Sequence, residues 1–428
     1  MDQLHHLPLP AAPEILKGEL APRQRSRFLN RRTPPHILTL VLVAGLGALN
    51  MNIMLPSLTA MAHYFKTDYA TMQLAISAYL ACTAILQLIV GPLSDRFGRR
   101  PVLLVCLAIF LAATLAAIYS PTVEIFLAAR MVQATVVSGL VLARAIVRDM
   151  VPLEEAASMI GYVSMGMSLV PMVSPTVGGL LQEAYGWQAV HGMTLAMGSI
   201  VLLIIFFDLQ ETNLHRAASM ASQFRSYPEL FTSRRFWGFV LSATFASGMF
   251  FAFLGGAPFI ATEYLHLAPS TLGLYFMFVA LGYMSGNFVI GRYSGRFGIF
   301  TLMLAGCTLA VSGVFASLLW FVSGHVHAFG FFGPLFFVGM GNGMLLPSAL
   351  AGMVNVRPHL AGSAAGLGGA MQIGGGAVLS VFAGHLLTRE SGPAPLLLLM
   401  IATGLLAILA TLYTRHVDIQ MAKPASKS

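Results

Sequence analysis

Arg130, Gln133, Arg144 and Arg148 fall within one largely apolar stretch, Arg130-Met-Val-Gln133 followed by Ala143-Arg144-Ala-Ile-Val-Arg148-Asp149. At about 100° per residue the three arginines share one helix face, with Gln133 about 60° away. Arg130 and Arg144 would then stand roughly 21 Å apart along the axis, both inside a hydrocarbon layer. An arginine at such depth costs about 2.5–3.5 kcal/mol on insertion scales, and it faces a cavity or a partner. The chemistry on offer is capture of an anionic or carbonyl-rich ligand by a planar donor. The alternative is that Arg144 snorkels to the surface and Arg130 bonds helix carbonyls. Asn52, Tyr79, Tyr283 and Asn287 are further polar positions in apolar stretches, and complete a candidate substrate-binding set with Arg130, Gln133 and Arg144. Asn50, Thr83, Gln87, Asn342 and Gln372 are of the same kind. Each alone serves equally well as an interhelical hydrogen bond.

The acids stand elsewhere. Asp95, Asp149, Asp208, Glu211 and Glu229 fall near one end of the apolar stretches, and Asp68, Glu124, Glu183, Glu263 and Glu390 near the other. No carboxylate occupies the middle of a stretch, so a proton-carrying group is not assigned there. No cluster of His, Asp, Glu and nucleophile points to catalysis. His325-x-His327 lacks further metal ligands, and Cys82, Cys106 and Cys307 are scattered in apolar runs. A Gly-x-x-x-x-Gly-Lys phosphate loop is missing, which disfavours ATP-driven transport by this chain alone. The expectation is a protein without catalytic residues, metal or bound cofactor.

What must position these residues is a membrane. Of the 428 residues 57% are hydrophobic and 9% charged, and the mean hydropathy is +0.78. A soluble domain carries about 25% charged residues. Runs long enough to cross a bilayer, about 20 residues each, lie near 37–62, 70–93, 101–119, 123–149, 156–181, 190–209, 236–261, 271–291, 299–322, 328–350, 361–387 and 396–414. With both termini inside, the inner segments hold nearly every lysine and arginine, and the outer loops hold only Lys66 and Arg389. That bias sets the orientation and accounts for the net charge of +8 without nucleic acid. The expected fold is an all-α membrane protein with twelve transmembrane helices in two six-helix pseudo-repeats, both termini cytosolic. Residues 1–35 form a cytosolic tail, 36–209 the first half, 210–235 a linker, 236–415 the second half and 416–428 a second tail.

The halves echo each other. Gly91-Pro-Leu-Ser-Asp95-Arg96-Phe-Gly98 follows the second span, and Gly291-Arg-Tyr-Ser-Gly-Arg-Phe-Gly298 follows the eighth. Gly91 allows close approach of a neighbour, Gly98 a sharp reversal, and Asp95 would face the positive N-terminus of span 11. Arg96, Arg99 and Arg100 complete this gating set, with Arg99 and Arg100 also able to act as topology signals. In span 5, Gly161, Gly166, Ser174-Pro175-Thr-Val-Gly178-Gly179 combines a bend with small residues for close packing.

The run Gly91 to Pro101 resembles the signature loop of the major facilitator superfamily, and Pro175, Gly178 and Gly179 resemble its exporter-associated helix 5 motif. With Asn52-Ile-Met-Leu-Pro56, Ala143 to Asp149 and Glu211-Thr212, the chain is similar to the Bcr/CflA branch of drug-resistance exporters. That resemblance implies a proton-coupled antiporter for antibiotics, siderophores or metabolites in a bacterial inner membrane, working as a monomer. Asn52 stands where the family often has an acid. An importer or facilitator of an organic anion is the alternative, and a receptor-like relative a further one.

Overall fold

The computed structural model describes residues 26–151, 159, 163, 167, 170–213, 227–357, 361–388 and 392–422. Most of the expected N-terminal tail, Gly161 and Gly166, residues 214–226 of the linker, Arg389 and residues 423–428 lie outside them. In a bilayer each backbone N–H and C=O must be satisfied within the segment, so apolar runs of this length close into helices.

Among the described residues, eleven helices are long and apolar enough to cross a membrane. They are α1 (Ile37–Tyr64), α2 (Tyr69–Phe97), α3 (Arg99–Ile118), α4 (Val123–Met150), α6 (Trp187–Asp208), α7 (Arg234–Tyr264), α8 (Pro269–Phe297), α9 (Ile299–Val322), α10 (Leu335–Val356, after a short helix Ala328–Phe332), α11 (Ala361–Leu386) and α12 (Ala394–Ala422). The described part of α5, Val170–Tyr185, occupies the place expected for the remaining span. α1 is interrupted by a 3₁₀ turn at Leu55–Ser57, where Pro56 lacks a backbone donor. Several helices outrun their apolar cores. α2 and α8 continue through the repeated motif, and α12 reaches Ala422, so the start of the expected C-terminal tail is helical.

The repeat is structural as well as sequential, at an offset of 200 residues. α2 and α8 are each 29 residues long. Each is preceded by a left-handed residue, Lys66 at φ 53° and His266 at φ 52°, and each ends at a left-handed glycine, Gly98 at φ 101° and Gly298 at φ 76°. α1 packs on α4, α5 and α6, and α3 on α4 and α6; α7 packs on α11 and α12, α8 on α10, and α9 on α10 and α12. Two seams join the halves, α2 against α11 and α5 against α8. Under the repeat α2 corresponds to α8 and α5 to α11, so the two seams are one contact with the halves exchanged.

The ends of the molecule differ. At the end assigned to the outside by charge, one apolar cluster runs through both halves, from Ile53, Met54 and Trp187 to Phe253, Phe331 and Leu396. Toward the inner end the clusters among the described residues are separate, one around Phe110 and Ile146 in the first half, and one around Phe239 and Met353 and a small one at Ile290, Leu302 and Met344 in the second. The outer ends are packed shut between halves.

Candidate functional site

Arg130 is 1% exposed and is held by partners on three helices of the first half, α1, α2 and its own α4. Its Nη1 donates to Asn50 Oδ1 on α1 at 3.0 Å and to Gln133 Oε1 at 2.6 Å. Nε donates to the Ala75 carbonyl on α2 at 3.3 Å, and Nη2 to the Asn50 carbonyl at 3.4 Å. The Tyr79 ring lies 4.4 Å below the guanidinium. Gln133 in turn donates to Thr114 Oγ1 on α3 at 2.9 Å. Neutral acceptors and an aromatic face replace the missing carboxylate, since an unpartnered buried charge is heavily penalised. The structure therefore places Arg130, Gln133 and Tyr79 inside the first half, against the expectation that they face a ligand. Asn52 is also buried and donates to the Ala48 carbonyl of its own helix at 2.8 Å.

The other predicted binding residues sit between the halves. Arg144 on α4 is partly buried, and it takes no hydrogen-bond or ion-pair acceptor among the described residues. Its electrostatic neighbours are Tyr283 on α8, across the interface, and Arg148 on its own helix. Asn287 is one turn below Tyr283 and donates to its carbonyl at 2.8 Å. Arg144, Tyr283 and Asn287 thus form the part of the predicted set that both halves share.

The motif loop builds an ion network around Arg99 rather than Asp95. Arg99 is 8% exposed. It pairs with Asp95 one turn back, with Asp149 of α4 at 3.0 Å, and with Ser94 Oγ at 2.6 Å. Asn213 donates to the Asp95 carbonyl at 2.9 Å, and Thr212 to Asp149 at 3.2 Å. Glu211 accepts from the Arg99 and Arg100 amides at 2.9 and 3.3 Å, capping the N-terminus of α3. Arg100 binds the carbonyls of Leu209 and Phe206 at 2.8 and 3.2 Å, a cation at the C-terminus of α6. Arg96 is exposed, over the Phe97 ring. Residues 358–360, before α11, lie outside the described residues, and with them the approach expected between Asp95 and that helix start. The second half cannot copy the network, because Gly295 and Ile299 stand where the first half has Asp95 and Arg99.

Gly98 provides the expected reversal at φ 101°. Gly91 does not serve close approach, since a Cβ there would meet nothing within 4 Å. On α5, which holds Pro175 within its helix, a Cβ on Gly178 would strike the Ile53 carbonyl of α1. One on Gly179 would lie 2.7 Å from Ser270 Cα on α8. Near that point Glu183 accepts from the Ser270 amide at 2.8 Å across the halves. His63 and Glu263 approach at 3.4 Å across the same end, in a cleft that Thr59, Thr67, Tyr69 and Phe259 also line.

Some partners escaped the sequence reading. Asp208, fully buried, accepts from the Leu29 and His36 amides at 2.7 and 2.9 Å and from Thr39 Oγ1 at 2.6 Å. Gln73, 1% exposed, crosses from α2 to Ser380 of α11. Its signal was an amide one turn after Tyr69, inside an apolar span.

The family model described as Major Facilitator Superfamily matches residues 40–379. Multidrug resistance protein D of Escherichia coli (strain K12) is 30% identical over 379 residues, 88% of this chain and 94% of that protein. A bicyclomycin resistance protein homolog of Haemophilus influenzae is 24% identical over 91% of this chain and 96% of its own. In fold the chain is similar to a bacterial homolog of the human lysosomal transporter Spinster, in an inward-facing and unoccupied conformation. The TM-score is 0.72 at 17% identity, over 91% of this chain and 98% of that one.

Proposed function

The chain belongs to the major facilitator superfamily, and from that premise we propose that it is a secondary active exporter of small molecules that works by alternating access. The observation that carries this reading is the apolar core joining both halves at the outer end, against cores at the inner end whose buried members, among the described residues, each come from one half. Rocking about the α2–α11 and α5–α8 seams exchanges which end is shut, as expected of two related six-helix units. The names of its relatives, a multidrug resistance protein and a bicyclomycin resistance homolog, support export of antibiotic-like compounds. The charge bias supports a bacterial inner membrane with both termini in the cytosol. The energy source in this reading is the proton gradient, with no bound cofactor. Because both halves of the path come from one chain, a monomer suffices.

Substrate meets Arg144, Tyr283 and Asn287 at the interface, while Asp95, Arg99, Pro175, Gly178 and Gly179 serve the gates. Purified protein in vesicles with an imposed pH gradient of either sign, offered amphiphiles and organic acids, tests the reading. Substrate movement that reverses with the sign of the gradient supports it. Flux that ignores the gradient for every compound overturns the proton-driven exporter.

Arg144 favours a second reading, an importer or facilitator of organic anions, because its guanidinium has no protein acceptor among the described residues. Anion flux down its own gradient, with no response to pH, selects that reading.

A further inference from the structure

We propose that Gln73 is the polar latch of the outer gate, the side chain whose release allows the outer end to open; this rests on the alternating-access reading above. Gln73 lies on α2, one turn after Tyr69, so both side chains point along the same face. Tyr69 donates to the Gly255 carbonyl of α7 at 2.9 Å. The Gln73 amide enters the second half, where Nε2 donates to the Ser380 carbonyl at 2.7 Å and to Ser380 Oγ at 2.6 Å. Gln73 is 1% exposed and Ser380 is 0% exposed.

The second half is notched to receive it. A Cβ on Gly384 would lie 3.0 Å from Gln73 Oε1. A Cβ on Gly255 would lie 3.0 Å from Gln73 Nε2 and 2.7 Å from Ser380 Oγ. Two glycines on two helices therefore clear the space for one amide of the opposite half. Further down the same seam, Ala84 faces Gly374 and Gln87 faces Gly369, and among the described residues no α2 side chain there donates across it. At its outer end the α2–α11 seam is thus held by a buried polar contact as well as by packing.

A buried amide bonded to a helix carbonyl is stable only while the seam is closed, because separating the two leaves both groups to find water. When the outer ends part, Gln73 must withdraw from the notch and be hydrated. Removing the amide removes the tie but leaves the apolar contacts around it. The closed state then loses roughly a factor of ten in relative population.

The test reads gate opening directly. Spin labels are placed at Lys66 and His266, in exposed outer loops of opposite halves, in a background with the three cysteines replaced, and distances are measured by pulsed EPR in lipid without substrate. Gln73→Ala is expected to add a longer-distance population. Gln73→Glu makes the latch switchable: the protonated acid can donate to Ser380, the carboxylate cannot. It should keep the short distance near about pH 5 and gain the long one near about pH 8, by more than wild type, in which, among the described residues, only the His63–Glu263 pair spans this end with a group that changes charge in that window. Gly384→Ala, which crowds the amide, should also shift the distribution outward. Unchanged distances in Gln73→Ala of wild-type thermal stability, or a pH-independent distribution in Gln73→Glu, would overturn the latch. Because no transported compound enters the measurement, such a failure leaves the exporter reading to the flux experiment.

Discussion

The Arg130 guanidinium sits 4.4 Å from the Tyr79 ring, a buried cation clasped between an aromatic face and the amides of Asn50 and Gln133. With every neighbour supplied by the first half, this group is an internal pin of the α1–α2–α4 packing. Arg130→Ala is expected to destabilise the protein by about 2–4 kcal/mol, because it leaves the buried Asn50 and Gln133 acceptors unpaired and a cavity beside Tyr79. Arg130→Lys recovers only part, because one ammonium cannot reach Asn50, Gln133 and the Ala75 carbonyl in the planar geometry. Thermal unfolding in detergent, alongside binding of one anionic and one cationic compound, checks this. A selective loss of the anion at unchanged stability would return Arg130 to the binding site.

Arg99 is the hub of the inner-end network, and its two carboxylates back each other up. Asp95→Asn and Asp149→Asn should each cost about 1 kcal/mol or less, since both acids are partly solvated. The double variant should cost more than their sum, and Arg99→Ala more than either single change. Melting temperatures of the four proteins decide it. Simple additivity would show that Arg99 does not couple the two.

Asp208 ties the segment before α1 to the end of α6 through two amides and the Thr39 hydroxyl. Replacement by Asn keeps the shape but weakens charge-assisted acceptance, worth about 1–3 kcal/mol in a buried setting. Trypsin cleavage at Arg27, Arg31 and Arg32 should then accelerate severalfold while global unfolding shifts less. Cleavage at the wild-type rate would rule out the anchor.

Two glycines predicted alike should behave oppositely. Gly179→Ala places a methyl 2.6 Å from the Pro269 carbonyl carbon, an overpacking of the α5–α8 seam expected to cost about 1–3 kcal/mol. Gly91→Ala meets nothing within 4 Å and removes a flexible residue from a helix, so it should be neutral or stabilising by about 0.5–1 kcal/mol. Stability and flux of the pair, measured together, separate seam packing from motif flexibility. Equal losses in both would contradict the assignment of the close contact to Gly179.

The sequence alone determined the membrane, the helical class and the twofold repeat. Run length, scarcity of charge and the placement of lysine and arginine are properties of short windows, and a bilayer leaves helices as the answer for such windows. The 200-residue echo of Gly91–Gly98 was equally legible, since it needs only comparison along the chain. Partner choice was decided in three dimensions. Arg130 was read as ligand-facing because no carboxylate stood nearby in sequence, whereas its acceptors arrive from Asn50 and Ala75 on other helices. Gly91 and Gly179 have the same residue type and a similar motif setting, and only the neighbouring helix distinguishes them. Gln73 could be seen to lie in an apolar span, but its meaning depends on Ser380, 307 residues away. Helix periodicity fixes which residues share a face, and packing fixes what that face meets.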